Sequence, residues 1–344
     1  MNKVIILLGP TGVGKTAVSI LLAKALDTEI ISADSMQIYK GMDIGTAKPS
    51  LPELKEVRHH LISILSSSEH FSAGMFRDRA VKIIDELHRR GKIPVVAGGT
   101  GLYIKTLTRG LFEGPPADWH LREELLEEEK LFGKNYLYEK LKRLDPVSAD
   151  KIKPQDTRRI IRALEVSLKG EKTISEFQHS GTTPQNYEFI KIGLLRDRKE
   201  LYGMIEQRVD KMMEAGLVDE VREILKLTEV EKMRGSADKR KAEDKSFITS
   251  QLLNFIPSAL SSMQSLGYKE ISLYLDGLMS LEDAVKLLKK RTKMYAKRQF
   301  TWFKKEPDIR WMDITGIVNA GEILLKIMNE VSPVRKLMPD SKWG

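Results

Sequence analysis

The stretch Gly9–Thr16, GPTGVGKT, matches the pattern G-x-x-x-x-G-K-[ST] in full. Each part of that spacing has a chemical use. Gly9, Gly12 and Gly14 permit a tight turn. With Pro10, Thr11 and Val13 they form a loop whose backbone N–H groups converge on an anion at a helix N-terminus. Lys15 supplies a point charge to terminal phosphates, and the Thr16 hydroxyl can hold Mg²⁺. The chemistry is therefore phosphoanhydride binding. A nucleotide hydrolase or kinase usually places a second carboxylate on its Mg²⁺ at the end of an apolar strand. The best such strand, IPVVAGGTG, ends in Gly98, Gly99 and Thr100 and has no acid there. EIISAD does end in an acid, Asp34, which can serve as that metal carboxylate or do something else. At this point ATP or GTP hydrolysis, kinase chemistry and other diphosphate chemistry all stay open.

The flanking elements say how these groups are held. VIILLG, Val4–Gly9, is a continuous apolar run of the kind found in a buried parallel strand. TAVSILLAKAL follows with helical periodicity. Glu29–Asp34 predicts a second strand. RDRAVKIIDELHRRGK predicts an amphipathic helix closed by Gly91, and IPVVAGGTG a further buried strand. Strands alternating with helices predict an α/β fold, a P-loop NTPase-like parallel sheet flanked by helices. The prolines of Gly114–Asp118 mark a boundary. From Trp119 to about Gln178 the chain carries helical patterns and no clear strand, and a strand pattern returns at Glu188–Leu195. The expected organisation is a first part of the core over 1–114, an inserted all-helical domain over 115–185, the rest of the core with basic helices over 186–334, and a tail over 335–344. EVEKMRGSADKRKAEDKSF, 229–247, predicts a solvated loop.

The chain of 344 residues carries a formal net charge of +9, which favours polyanionic partners. It has no cysteine, so disulfides, thiol nucleophiles and thiolate metal sites are excluded. No apolar run reaches the roughly 18 residues needed to span a bilayer. A cytoplasmic protein without a signal peptide is the expectation. His59, His60 and His70 have no second ligand cluster and read as structural. KLLKKRTKMYAKRQFTWFKK interleaves lysines and arginines with Tyr295, Phe300, Trp302 and Phe303, without an acid. Cations with aromatic platforms suit RNA, although some of these aromatics are expected in the core. Arg158, Arg159 and Arg162 form a second cluster with little acid nearby, and Arg158 and Arg162 share a helix face.

Several long motifs resemble one family in order: SADSMQIYKGMDIGTAKP (Ser32–Pro49), VAGGTGLYIKTLTRG (Val96–Gly110), DPVSADKIKPQDTRRIIRALEV (Asp145–Val166), QSLGYKE (Gln264–Glu270) and TKMYAKRQFTWFKK (Thr292–Lys305). That family is the tRNA dimethylallyltransferases, or tRNA isopentenyltransferases, and the resemblance covers Val4 to about Lys305. It implies that dimethylallyl diphosphate donates its five-carbon group to N6 of the adenosine immediately 3′ of a tRNA anticodon. The tRNAs would be those reading codons that begin with U. Diphosphate leaves and ATP is not consumed. The donor diphosphate would then lie on Gly9–Thr16 with Mg²⁺ on Thr16. Arg208, in IEQRVDKM, matches an arginine that reaches the diphosphate. The catalytic set implied is Asp34 as general base with Lys15, Thr16 and Arg208. The target base must be flipped out of its loop. The resemblance assigns tRNA contacts to Asp34, Ser35, Met36 and Gln37, to Thr100 beside the reacting adenine, and to Arg122. It also assigns Arg158, Arg159, Ile160, Ile161 and Arg162, then Gln264, Ser265, Leu266, Gly267, Tyr268 and Lys269. The implied partners are a tRNA anticodon stem-loop and dimethylallyl diphosphate, with no membrane, and the expected state is a monomer.

The match departs from the family at LYGMI, where Met204 stands in place of an arginine common there; either Arg198 or Lys199 compensates for the lost diphosphate contact, or donor affinity is lower. The charged segment 229–247 is longer than the family pattern. Three alternatives keep the phosphate loop or the basic surface but change the chemistry: prenyl transfer to a free adenine nucleotide, a small-molecule kinase, and an RNA-binding protein without activity.

Overall fold

The computed structural model describes residues 2–112, 114–179, 181–235 and 262–337. The chain divides into two compact units. The first holds residues 1–107 and most of the chain from Asn186 onward; the described part of the second is 108–185.

Six parallel strands form the sheet of the first unit: β1 Lys3–Leu8, β2 Ile30–Ala33, β3 His59–His60, β4 Val95–Gly98, β5 Glu188–Leu195 and β6 Ile309–Asp313. Their order is β3-β2-β4-β1-β5-β6, so β1 is central and bonded on both edges. Val4 to Leu8 are all fully buried. A strand covered on both faces needs apolar side chains at every position, which is why VIILL does not alternate with polar residues. Val4, Ile6 and Leu8 point to one face, against Phe76, Ile84, Ile104 and Phe303. Ile5 and Leu7 point to the other, against Val18, Leu22, Ile323 and Ile327. Each such side chain contributes roughly 2 kcal/mol of burial energy. β3 is two residues long and β6 is the short IRWMD; the sequence patterns predict neither.

Among the helices, Lys15–Ala25 follows β1, Ala73–Arg89 precedes β4 and Gly101–Arg109 follows it. Arg198–Glu214 and Leu217–Gly235 are separated at Gly216, whose φ of 93° is left-handed. Leu281–Phe303 is the basic helix. A third apolar cluster, including Ile38, Tyr39, Met42, Val221, Met263, Tyr268 and Leu288, underlies the loop that follows β2. The expected loop over 229–247 begins as helix as far as Gly235, and its remainder lies outside the described residues, as does the tail from 338 on.

The second unit is helical: Trp119–Phe132, Tyr136–Leu144, Pro146–Lys151, Thr157–Lys169 and Ile174–His179. It begins at Thr108, ahead of the proline break at Gly114–Asp118. Leu125, Leu141, Ile160, Ile161 and Leu164 fill its core. Asp118, Asp145 and Asp156 each cap a helix by accepting a backbone N–H. No helix among the described residues is long and apolar enough to cross a membrane.

Candidate active site

The phosphate loop turns as its glycines require. Gly12 has φ 82°, and a Cβ there would stand 2.9 Å from Ile205 Cγ1 of the facing helix. Gly14 caps the helix Lys15–Ala25 with φ 102°, a conformation costly for any residue with a side chain. Val13 is buried in the core, and its carbonyl accepts from Arg196 Nε at 3.3 Å. The Thr11 N–H donates to Gln299 Oε1 at 2.8 Å. Thr16 stands half-buried at the first helical turn.

Lys15 folds back over this loop and donates to the carbonyls of Gly9 at 2.9 Å and Pro10 at 2.8 Å. Burial and the charge of Arg208 push its ammonium down to about 7, and Asp34 partly offsets them. Arg208, half-buried on the helix Arg198–Glu214, is likewise lowered by burial and partly restored by Asp34. Two cations and one carboxylate therefore lie within electrostatic reach of one another, with the net positive charge an anion needs.

Asp34 lies just past the end of β2, where strand carboxyl ends form the crevice of an open α/β sheet. Its Oδ1 accepts from the Met36 N–H at 2.8 Å and the Gln37 N–H at 3.3 Å, an Asx turn that fixes the carboxylate. After burial, Asp34 also helps to push the hydroxyls of Tyr103 and Tyr295 upward. Thr100 follows β4, and its Oγ1 accepts from the Ser35 N–H at 3.0 Å. The glycines around it serve close packing. A Cβ on Gly98 would strike the backbone of Ala33, and one on Gly101 would strike Trp302.

The loop from Ser35 to Lys48 is tied at several points. Gln37 accepts from Ser32 Oγ at 3.1 Å and donates to the Ala47 carbonyl at 3.2 Å. Glu220 accepts the N–H groups of Asp43, Ile44 and Gly45 at 2.9, 2.7 and 2.9 Å. Tyr268 donates its hydroxyl to the same carboxylate. Its ring packs so close to Gly45 that a Cβ there would stand 2.5 Å away. Of the stretch Gln264–Lys269, then, Tyr268 is a fully buried support, Gly267 is buried at a helix N-cap, and the other four are half-buried.

In the helical unit, Arg122 donates to both oxygens of Glu165, each at 2.8 Å, and Arg162 pairs with the same carboxylate. Glu165 is fully buried and also accepts the Asp118 N–H at 2.6 Å. Its pKa is held below the usual carboxylate range by these arginines against the effect of burial. Arg122 stacks over Trp119 at 4.4 Å. Arg159 pairs with Asp156 at 3.3 Å. The expectation that the arginine cluster has little acid nearby is thus corrected, because Asp156 and Glu165 belong to the same helix start and turn. Arg158 and Arg159 are exposed, while Ile160 and Ile161 lie in the core.

On the basic helix the aromatics turn inward. Phe303 is buried, Phe300 meets Trp311 edge-on at 5.5 Å, and Trp302 covers Gly101. The cations turn outward. Lys286, Lys290 and Lys297 are exposed, while the half-buried Lys289 pairs with Asp210 at 2.5 Å and Lys293 with Glu206; these five lysines and Glu206 line a groove of about 430 Å³ against Arg198 and Tyr202. Arg198 stacks on Tyr202 in that groove. His60 pairs with Glu29 at 2.7 Å, and His59 bonds the Val57 carbonyl at 2.8 Å, both structural roles.

Gln299, Glu220 and Arg196 also support the site, though no sequence motif assigns them a role. Gln299 was legible in the sequence: Ala296, Gln299 and Phe303 are one buried stripe, and a glutamine on an apolar stripe needs buried partners.

Residues 37–306 match the IPP transferase family model. The chain is 53% identical over 333 residues to the tRNA dimethylallyltransferase of Thermodesulfovibrio yellowstonii, covering 97% of this chain and 98% of that one. Among solved structures it is similar to the tRNA isopentenylpyrophosphate transferase of Bacillus halodurans, at 37% identity, 98% coverage of each chain and a TM-score of 0.66. It is also similar to a eukaryotic dimethylallyltransferase acting on tRNA, at 29% identity and a TM-score of 0.75, covering all of this chain and 82% of that one.

Proposed function

The chain belongs to the IPP transferase family, and on that footing we propose that it prenylates tRNA. A dimethylallyl group passes from dimethylallyl diphosphate to N6 of the adenosine immediately 3′ of the anticodon, in tRNAs reading codons that begin with U. The C–O bond to diphosphate breaks, the N6–C bond forms, and one N6 proton leaves. One observation carries this reading: Lys15 and Arg208 lie within electrostatic reach of Asp34 beside the phosphate loop, while β4, the strand beside β1, ends in glycine rather than an acid.

The leaving diphosphate gains charge as the allylic carbon becomes cationic. Loop N–H groups, Lys15 and Arg208 meet that charge in fixed positions. Arg208 offers a planar fork, and Lys15 a point charge that swings off its own carbonyls onto the phosphates. The adenine amine is a poor nucleophile, so a base must accept its proton as the bond forms. Asp34 has one oxygen committed to the Asx turn and one free of it. Thr100, hydrogen-bonded to Ser35, shapes the adenine side. The half-buried hydroxyl of Thr16 is a hard oxygen donor that fits Mg²⁺ together with phosphate oxygens. Bound there, the ion would neutralise charge on the leaving group.

Acceptor recognition rests on exposed cations. Arg158 and Arg159 on the helical unit and the lysine groove on the core are RNA-backbone surfaces in this reading, with Arg122 and Arg162 held ready by Glu165. The chain acts as a monomer.

The test is incubation of purified protein with Mg²⁺, dimethylallyl diphosphate and unmodified tRNA, without ATP, followed by nucleoside mass analysis. A gain of one dimethylallyl group on adenosine is expected. Prenylated AMP in a parallel tube, with unmodified tRNA, would move the acceptor to free nucleotides. No product in either tube would refute prenyl transfer.

A further inference from the structure

Gln299 is 7% exposed and stands on the inner face of the helix Leu281–Phe303. Its carboxamide uses both ends. Oε1 accepts the Thr11 N–H at 2.8 Å, and Nε2 donates to the Gly99 carbonyl at 2.8 Å. Thr11 belongs to the phosphate loop, and Gly99 is the residue between β4 and Thr100. Gly99 must be glycine for this approach, since a Cβ would stand 2.4 Å from Gln299 Nε2. Tyr295, one turn earlier on the helix, interacts with Gln299 and feels the charge of Asp34. One side chain thus joins the loop after β1 to the loop after β4. The outer face of its helix carries exposed Lys297, Arg298 and Lys304.

We propose that Gln299 is a positioning residue that sets the diphosphate loop against the acceptor side of the cleft. The proposal rests on the prenyl-transfer reading of that cleft. The relevant spacing runs from the loop amides, which hold the leaving group, to Thr100 and, through Ser35, to Asp34. Two loops at neighbouring strand ends could otherwise shift independently, and small displacements between reacting groups are costly in rate. The carboxamide is the right group because it accepts at one end and donates at the other. Glutamate could still accept from Thr11, but it would face the Gly99 carbonyl with a second acceptor. Methionine keeps the shape and loses both bonds, leaving a half-buried N–H and a buried carbonyl without this partner.

The test compares Gln299→Met and Gln299→Glu with the parent. The measurements are inorganic diphosphate binding with Mg²⁺ by calorimetry, tRNA binding, melting temperature, and kcat and KM for transfer. Loss of an ordering hydrogen bond on the loop should raise the diphosphate Kd roughly tenfold in Gln299→Met. Gln299→Glu should raise it further, because it adds negative charge near the anion. kcat should fall in both, while tRNA affinity stays within about twofold, since the exposed cations are untouched. Diphosphate affinity equal to the parent in both folded variants would overturn the proposal. So would losses that simply track a lowered melting temperature. If Gln299→Met does not fold, Gln299→Asn, which keeps a neutral carboxamide too short to reach both Thr11 and Gly99, carries the comparison. Failure of the parent to prenylate tRNA would count against the function, while diphosphate binding would still report on Gln299.

Discussion

Diphosphate affinity should fall steeply as pH rises above 7, and Lys15 gives the reason. In the free protein its ammonium is pushed down to about 7, first by burial and then by Arg208, with Asp34 pulling the other way. A bound diphosphate adds negative charge beside the amine and restores its proton affinity. Binding therefore takes up a proton at any pH between the free and bound values. With a free-state value near 7, the charged fraction falls about 25-fold from pH 7.5 to pH 9, and the Kd for dimethylallyl diphosphate should rise by the same factor. The ligand's own last ionisation lies near 6, below this window. Calorimetry without tRNA, in buffers of differing ionisation enthalpy, counts the protons: close to one per site at pH 8.5. Lys15→Arg should flatten the profile, because guanidinium stays charged throughout. A flat Kd from pH 7.5 to 9 in the parent would refute the reasoning. Stability has the opposite sign. A lysine lowered by folding weakens the free protein below about pH 7, and that cost is relieved as pH rises toward the ordinary value of 10.5.

Asp34→Ala should cut turnover by at least about a hundredfold while tRNA binding falls much less; unchanged turnover would remove Asp34 as base. Glu165→Ala should destabilise the helical unit by about 2 kcal/mol in urea melts. That is less than a fully buried pair costs, because Arg122 and Arg162 keep 21% and 31% of their surface. The effect of Glu165 should shrink as pH falls, since its lowered pKa gives stability only while the carboxylate is ionised. Lys290→Glu with Lys297→Glu should weaken tRNA binding and reduce its salt slope by about 2. An unaltered slope would mean that the groove is an ordinary solvated face.

What could be read from the sequence was whatever depends on one local rule. The phosphate loop needs glycines at fixed offsets, and β1 needs apolar residues at every position, so both stand out. β3 and β6 do not, because a two-residue strand and an edge strand such as IRWMD carry too little pattern. Arg122 is legible as a cation but not as a partner of Glu165, since that pairing spans 43 residues of sequence and depends on helix packing; the Arg162–Glu165 pair, three residues apart on one helix, was open to the i,i+3 rule. Tyr268 has the same problem: in QSLGYKE it looks like a surface residue, and only Glu220 and Gly45, brought to it by the fold, show why it is buried. Gln299 is a different case: the run RQFTWFKK draws the eye to charge and aromatic rings, yet the spacing of Ala296, Gln299 and Phe303 on one helix face was the signal that could have marked it.

The lack of an acid after β4 ties these features to the chemistry. P-loop enzymes that hydrolyse a phosphoanhydride usually hold their Mg²⁺ with a carboxylate at a strand end, close to the attacking water and the terminal phosphate. Here the strand beside the loop ends in Gly98, Gly99 and Thr100, and the space is filled by Gln299, a neutral clamp. The carboxylate has moved one strand further out, to Asp34, where Ala33 pairs with Gly98 across the sheet. At that position it is still within electrostatic reach of Lys15 and Arg208, yet it is set by its own Asx turn rather than by the loop. In the proposed reaction, a base held that way would face a nucleophile arriving from the side opposite the diphosphate, as displacement at an allylic carbon demands. Met204 fits the same economy of charge. An arginine there would sit one helical turn from Arg208 and add to the repulsion that already lowers Lys15. With methionine at that position, the loop keeps a lysine whose proton can still respond to the arrival of the donor.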